Sequence, residues 1–422
     1  MSVPRLGLDG SSRRLTLMLV VVFVVTHFYL IWLSARAQPT GSVDIGLYEW
    51  WVKQGWADLS WPGLDRAWVY PVLALAPMVA PVGLEALSGG LLTYLAAWCL
   101  MVCLFNAVVS LVVISVVGLR QAAWPLAWWF VFMALLGPVS ITRLDGIIMP
   151  LVLAALVLAA ARPGLAAGLL AIGAWIKVVP GVLMAPLAIV VGRAWRKVVA
   201  VGCGVCLAVV LWVWLVGGNL GWLMSFLSTD QDRGLQVEAV MATPVVLAHA
   251  VGGEIIWQYN HELSTVETWG SGAQMAASVG NVLLPLACLA VIGLAWLARR
   301  RPADALLFAT QALMAVMIVF NKVGSPQFYT WLAPAVVVGL ASRRHRGLWW
   351  PMAGLSCLAA VLTWLIFPTF YIEFLEAAPW MLAVLVLRNA CTVVIMCGAL
   401  VGLWRLTLPA RAHRAETLLT AA

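Results

Sequence analysis

The sequence predicts an all-α polytopic membrane protein, a bundle of about 12 transmembrane helices forming one membrane domain over residues 1–422. Three observations carry that prediction. A chain that is 64% hydrophobic and 10% charged, with mean hydropathy +1.00, has too few polar side chains to cover a water-soluble fold. Runs such as Leu91 to Leu119 and Gly272 to Leu297 exceed the span of about 20 apolar residues and contain no ionised side chain. The net charge of +8 is broken into short clusters between hydrophobic runs, so it marks topology and not a nucleic-acid surface.

Taken in order, spans are expected near 15–34, 91–118, 123–138, 146–161, 164–178, 181–192, 198–217, 275–298, 303–320, 328–341, 347–366 and 380–404. The first is read as a retained helix: Ala35-Arg36-Ala37 imitates a signal-peptide cleavage site, but the run before it is too long for an h-region. Apolar stretches near 69–88 and 238–252 are interrupted or short and are expected to be re-entrant or interfacial. With both termini inside, the clusters Arg13-Arg14, Arg193 with Arg196-Lys197, Arg299-Arg300-Arg301, Arg343-Arg344 with Arg346, and Arg405, Arg411 and Arg414 all fall on the cytoplasmic side. A competing count makes 69–88 a full span and merges 164–192, which places Arg120 and Arg162 outside. The preferred count leaves a first outer loop of about 35–90, a second large outer segment of about 218–271 and a cytoplasmic tail of 406–422, with most carboxylates outside. All 8 cysteines lie in hydrophobic runs, which suggests neither disulfides nor a zinc site.

The first outer loop contains Ser42-Val43-Asp44-Ile45-Gly46-Leu47-Tyr48-Glu49-Trp50-Trp51-Val52-Lys53-Gln54-Gly55, which reads as a short interfacial helix with Asp44 as N-cap and Gly55 as terminator. Ile45, Tyr48 and Val52 share one face. Asp44 has two readings: a helix cap, which spacing alone favours, or a carboxylate held at the membrane surface as a base.

An aspartate a few residues past the first membrane helix, followed by a tyrosine and an aromatic interfacial helix, resembles the GT-C glycosyltransferases. More narrowly it resembles family 87, the actinobacterial polyprenyl-phosphate-mannose-dependent mannosyltransferases. Further segments carry the likeness in order: Trp68-Val69-Tyr70-Pro71-Val72-Leu73-Ala74-Leu75, Arg143-Leu144-Asp145, Gly168 to Lys177 with Pro180, Arg233-Gly234-Leu235-Gln236-Val237-Glu238 with Thr243-Pro244, and Gly324-Ser325-Pro326-Gln327-Phe328. The family's glutamine-containing version of the 143–145 loop is replaced here by Arg-Leu-Asp. The resemblance implies a GT-C-like bundle, a polyprenyl-phosphate sugar donor, mannose transfer to a glycolipid or cell-envelope glycan acceptor on the outer face, inversion at the anomeric carbon, and an aspartate base in the first outer loop.

Such chemistry needs a carboxylate to take the acceptor's proton and cations to hold the departing phosphate. Asp44 is the expected base, and Arg143, Lys177, Arg233 and Lys322 are the candidate phosphate ligands. Tyr48, Asp145, Gln236, Glu238 and Gln327 are expected to support the site or bind acceptor. Each has a plainer alternative: Arg143 and Asp145 neutralising one another with Asp145 capping the next helix, Arg233 paired with Glu238 in a loop, Lys177 snorkelling, Lys322 interfacial, and Ser325-Pro326 starting a helix. Trp50, Trp51 and Trp269 are candidates to stack on sugar faces. Asp230-Gln231-Asp232 has a metal-binding spacing but sits in a polar loop, and His249 and His261 are isolated; neither metal nor cofactor is expected. A nucleotide-sugar donor is disfavoured because no Gly-rich phosphate loop occurs. The rival class is a lipid or solute transporter or flippase, for which Lys177 and Arg388 are the candidate intramembrane charges; no two-half symmetry supports it.

Overall fold

The computed structural model describes residues 10–36, 43–227, 233–260 and 265–409. Each of the twelve expected spans falls on a helical segment, and these segments run alternately between two ends of the bundle. Helix α1 (Gly10–Arg36) leaves an arginine-rich end and is followed at the far end by α2 (Val43–Asp58) and α3 (Leu75–Leu87). Helix α4 (Tyr94–Val117) returns, α5 (Leu119–Leu136) goes back, α6 (Asp145–Leu158) returns again, and α7 (Pro163–Ile176) ends at the far side. The sequence then gives a 3₁₀ turn (Val179–Leu183) running into α8 (Met184–Val190), then α9 (Trp195–Leu215), a short α10 (Thr243–Val251), α11 (Gly270–Leu297) and α12 (Pro302–Val319). A 3₁₀ segment (Pro326–Leu332) leads into α13 (Ala333–Ser342); α14 (Arg346–Trp364), the short α15 (Tyr371–Leu375) and α16 (Pro379–Arg405) complete the bundle.

Among the described residues, eight helices (α1, α4, α5, α9, α11, α12, α14 and α16) are long and apolar enough to cross a membrane. The segments at 145–158, 163–176, 179–190 and 326–342 are shorter, and three of these four cluster between α4 and α9. Their shortness has a local cause: proline at Pro163, Pro180 and Pro326 fixes helix starts, and the chain turns extended at Lys177 (φ −157°, ψ 132°). That break overturns the competing count, since 164–192 is not one helix.

Polar contacts tie each end together. At the arginine-rich end Arg120 donates to Ser11 Oγ (3.2 Å), Arg343 donates to the Arg120 carbonyl (3.5 Å), and Asp304 faces Arg344 and His345 (3.7 and 3.5 Å). Arg120 thus lies at the end opposite to Asp145, as the preferred count requires.

At the far end the 69–88 stretch is short, as expected: a 3₁₀ turn at Val72–Ala74 runs directly into α3, and the Tyr94 hydroxyl donates to the Met78 carbonyl (2.8 Å). The 238–252 stretch is likewise short, a 3₁₀ turn (Val240–Ala242) running directly into α10. A two-stranded antiparallel ribbon, β1 (Gln258–Asn260) and β2 (Thr265–Glu267), is the small β component. One large apolar core fills the bundle, and a second, smaller one around Leu235, Val237, Val246, Ile366 and Phe374 packs the 235–251 segment onto α16.

Candidate active site

Asp44 lies in the first turn of α2, which begins at Val43, so it is not the N-cap the spacing suggested. Nor does Gly55 stop the helix: α2 continues to Asp58 and ends before Leu59, which takes a left-handed φ of 50°. Gly55 is needed for a different reason, since a Cβ there collides with the Trp61 ring. The expected apolar face is buried, with Ile45, Tyr48 and Val52 all inaccessible. Two contacts of one aromatic neighbour fix it: Tyr48 packs 5.1 Å from Trp98, and the Trp98 indole donates to the Ile141 carbonyl (2.8 Å). In this way α2 is fastened to the loop between α5 and α6.

That loop is shaped by Gly137, whose φ of 76° favours glycine and whose missing side chain leaves room for Trp364. It delivers Arg143, which is ion-paired through Nη1 to Asp44 Oδ2. Asp145, the first residue of α6, makes a separate set of contacts: it accepts from Lys177 Nζ (2.7 Å) and from the Trp331 indole (2.6 Å). The sequence alternative in which Arg143 and Asp145 neutralise one another is therefore corrected. Two residues apart in a tight turn, they address different partners, with Asp145 turned into the bundle. Asp145 gains at the α6 N-terminus from the helix dipole, although its carboxylate spends its hydrogen bonds on tertiary partners.

Lys177 is not inside a helix but caps α7 at its C-terminal end, where a cation is favoured. Its ammonium sits over the rings of Phe328 (5.0 Å) and Trp331 (5.9 Å), which screen it without neutralising it. Near it an apolar groove of about 550 Å³ opens between α7, the 3₁₀ turn at Val179–Leu183, α9, α11 and α12, and its wall includes Trp175 and Val178, close chain neighbours of Lys177. Tyr48 and Tyr70 complete the polar floor: the Tyr48 hydroxyl bonds to Tyr70 and to the Leu144 backbone, and burial pushes both phenols up so that they stay protonated. Burial also lowers the pKa of Arg143, a shift that the nearby Asp145 charge opposes.

The remaining expected residues form a second group. Gln236 is a connector, its backbone N–H donating to the Lys322 carbonyl (2.9 Å) while its side chain accepts from Gly324 N–H (3.0 Å). Gly324 is required there because a Cβ would strike the backbone of Glu238 and Ala239. Ser325 precedes the helical turn at Pro326, as expected, and its hydroxyl donates to Gln327 Oε1 (2.5 Å).

Glu238 is not paired with Arg233, the loop pairing considered from sequence. It accepts from Arg388 of α16 (3.0 Å), which also donates to the Glu238 carbonyl (2.5 Å). Arg233 instead lies near Tyr70, close enough for its charge to lower the phenol's pKa. Lys322 is buried at the same turn.

Trp51 stacks on Tyr48 and meets Trp68 and Tyr70 edge-on, and Trp269 stacks on His249, so both rings already have aromatic neighbours. Asp230, Asp232 and His261 lie outside the described residues. Among the described residues no cluster of His, Cys, Asp and Glu has metal-binding geometry. Sequence reading missed Trp331 and Glu267. The first is one tryptophan among 24, with nothing local to single it out. Glu267, which accepts from Gly234 N–H (3.1 Å) and Thr265 (2.7 Å), draws its role from strand pairing.

No curated protein matches this chain. Residues 68–326, more than half its length, match glycosyltransferase family 87, a match that covers Arg143, Asp145, Lys177 and the 233–238 loop and begins after Asp44. The chain belongs to glycosyltransferase family 87 and is a membrane glycosyltransferase.

Proposed function

We propose that this enzyme moves mannose from a polyprenyl-phosphate donor to a glycolipid or cell-envelope glycan acceptor at the outer face of the plasma membrane, with inversion and with Asp44 as base. The observation that carries the proposal is the arrangement of two ion pairs on one loop, Asp44–Arg143 and Asp145–Lys177, with an apolar groove opening near the lysine. The outer-face assignment rests on charge: the end opposite these pairs holds Arg13, Arg14, Arg120, Arg343 and Arg344, the side that the positive-inside rule makes cytoplasmic.

The two pairs suit different halves of an in-line displacement. Attack on the anomeric carbon requires the base and the leaving phosphate to lie on opposite faces of the sugar. Arg143, already on Asp44, suits the base side, where it holds the carboxylate in place for an acceptor hydroxyl. Lys177 suits the phosphate side, with the donor's isoprenoid chain lying in the groove walled by Trp175, Val178, Met224 and Leu284. Arg233 and Lys322 stand as further cations for the donor's phosphate, and Tyr48, Asp145, Gln236, Glu238 and Gln327 support the loops that carry them. A monophosphate ester leaving group needs less charge neutralisation than a diphosphate, so no metal is required.

The test is transfer by the purified protein in lipid vesicles supplied with radiolabelled polyprenyl-phosphate mannose and a lipid extract as acceptor. Label is expected to pass to an extractable glycolipid and to persist in EDTA. Transfer only from a nucleotide sugar, or loss in EDTA restored by Mn²⁺, overturns the donor or the metal-free reading respectively. The glycolipid that accumulates in a deletion strain then names the acceptor.

A further inference from the structure

A small cavity lies at the first turn of α6, bounded by α4, α5, the loop before α6 and the 3₁₀ segment Pro326–Leu332. About 10 Å³ of it is open to the centre of a water molecule, room for one. Two of the acceptors around it lack donors. His27 of α1 donates through Nδ1 to the Phe23 carbonyl (2.8 Å), so in the neutral ring Nε2 accepts from Asn106 Nδ2 of α4 (3.1 Å). That bond fixes the amide and leaves Asn106 Oδ1, which is buried and has no hydrogen-bond partner among the described residues. Pro150 has no N–H, so the Gly146 carbonyl one turn earlier in α6 lacks its helical donor. Asn106, Gly146 and Pro150 all line the cavity. Ser140 and Thr330 line it too, but they give their hydroxyl protons to the Gly137 and Gln327 carbonyls (both 2.7 Å) and have none to spare.

We propose that this cavity binds one water molecule, which donates one proton to Asn106 Oδ1 and the other to the Gly146 carbonyl, and that Asn106 thereby acts as a positioning residue for the adjoining Asp145. Chemistry selects the ligand. A buried acceptor left without a donor is costly, and water is the two-proton donor that a space of this size admits. A metal cation also suits oxygen ligands, but Lys177 already neutralises Asp145, and its ammonium repels a second positive charge there. The bridge ties the start of α6 to α4 and, through Asn106, to His27 of α1. Asp145 in turn holds the Lys177 ammonium at 2.7 Å, so the bridge sets where that cation stands. The consequence for transfer rests on the reading of Lys177 as a ligand of the donor's phosphate; the water site itself does not.

A cryo-electron microscopy map of the full-length protein in lipid nanodiscs, at a resolution that shows ordered waters, reads the site directly. Wild type is expected to hold one peak at hydrogen-bond distance from Asn106 Oδ1 and the Gly146 carbonyl, and Asn106→Leu is expected to lose it. A cavity without a peak in wild type overturns the proposal, as does a peak ringed by five or six oxygens, which marks a cation. Kinetics then read the positioning role. Asn106→Leu should raise KM for the polyprenyl-phosphate sugar roughly threefold to tenfold with kcat little changed. Pro150→Ala supplies the N–H that the Gly146 carbonyl lacks and favours the helix, so in that background the effect of Asn106→Leu on KM should shrink to within about twofold. An undiminished effect there, or a change confined to the unfolding temperature, overturns the positioning role. Lys177→Met with an unchanged donor KM would strike the donor-site reading, while the map still decides the water site.

Discussion

Two kinds of buried ion pair stand at the same end of this bundle. Glu238–Arg388 is sealed, with side chains 6% and 2% exposed, and its surroundings are saturated: Arg388 also donates to a backbone carbonyl and to Asn389, which in turn bonds Thr243. Asp44–Arg143 and Asp145–Lys177 are each open on one side, with Asp44 25% and Lys177 14% exposed, and Arg143 Nε has no hydrogen-bond partner among the described residues. A closed pair has nothing left to offer a ligand and acts as a clamp between the 235–243 segment and α16. An open pair keeps one charged edge available to a ligand. Exposure and leftover hydrogen-bonding capacity, more than the presence of charge, distinguish a reaction site from a structural lock.

That distinction breaks if the wrong pair controls activity. The largest effect is expected for Asp44→Asn, which should cut transfer by about 10²- to 10⁴-fold at unchanged expression and unfolding temperature. Near-wild-type transfer would remove Asp44 from the base role. Next comes Arg388→Met, which strands a buried carboxylate and should lower stability by about 3–5 kcal/mol in a detergent unfolding assay. The folded fraction of that variant should keep its kcat, and adding Glu238→Gln should recover most of the loss. A fall in kcat with normal stability would instead make the sealed pair part of the reaction.

Smaller effects sharpen the contrast. Lys177→Met should weaken donor use by roughly 10- to 100-fold, the worth of about 1.5–3 kcal/mol for a charged hydrogen bond, and should raise KM for the donor more than it lowers kcat. Lys177→Arg should restore part of the loss if the cation meets a phosphate. An unchanged donor KM in the Met variant would return Lys177 to a purely structural partner of Asp145. Tyr48→Phe removes one hydroxyl from the floor and should cost about 1 kcal/mol of stability with transfer within a few-fold of wild type. A hundredfold loss would place the phenol in the reaction itself.

The sequence by itself determined the class, the helical segments and their alternation, because hydropathy and flanking arginines are local properties that lipid enforces residue by residue. It also determined that Ile45, Tyr48 and Val52 face the core, since helical spacing puts them on one stripe. Its motifs gave the resemblance to family 87, and Arg143, Asp145 and Lys177 could be named from them.

Partners were another matter. Asp44 with Arg143, Asp145 with Lys177 and Trp331, and Glu238 with Arg388 join residues that lie 99, 32, 186 and 150 positions apart, given that 143 − 44 = 99 and that the other three separations belong to the hydrogen bonds themselves. In each case the nearer partner in sequence was the wrong choice. A charge in a low-dielectric bundle takes whichever partner helix packing brings within reach, and only the tertiary structure decides which one that is.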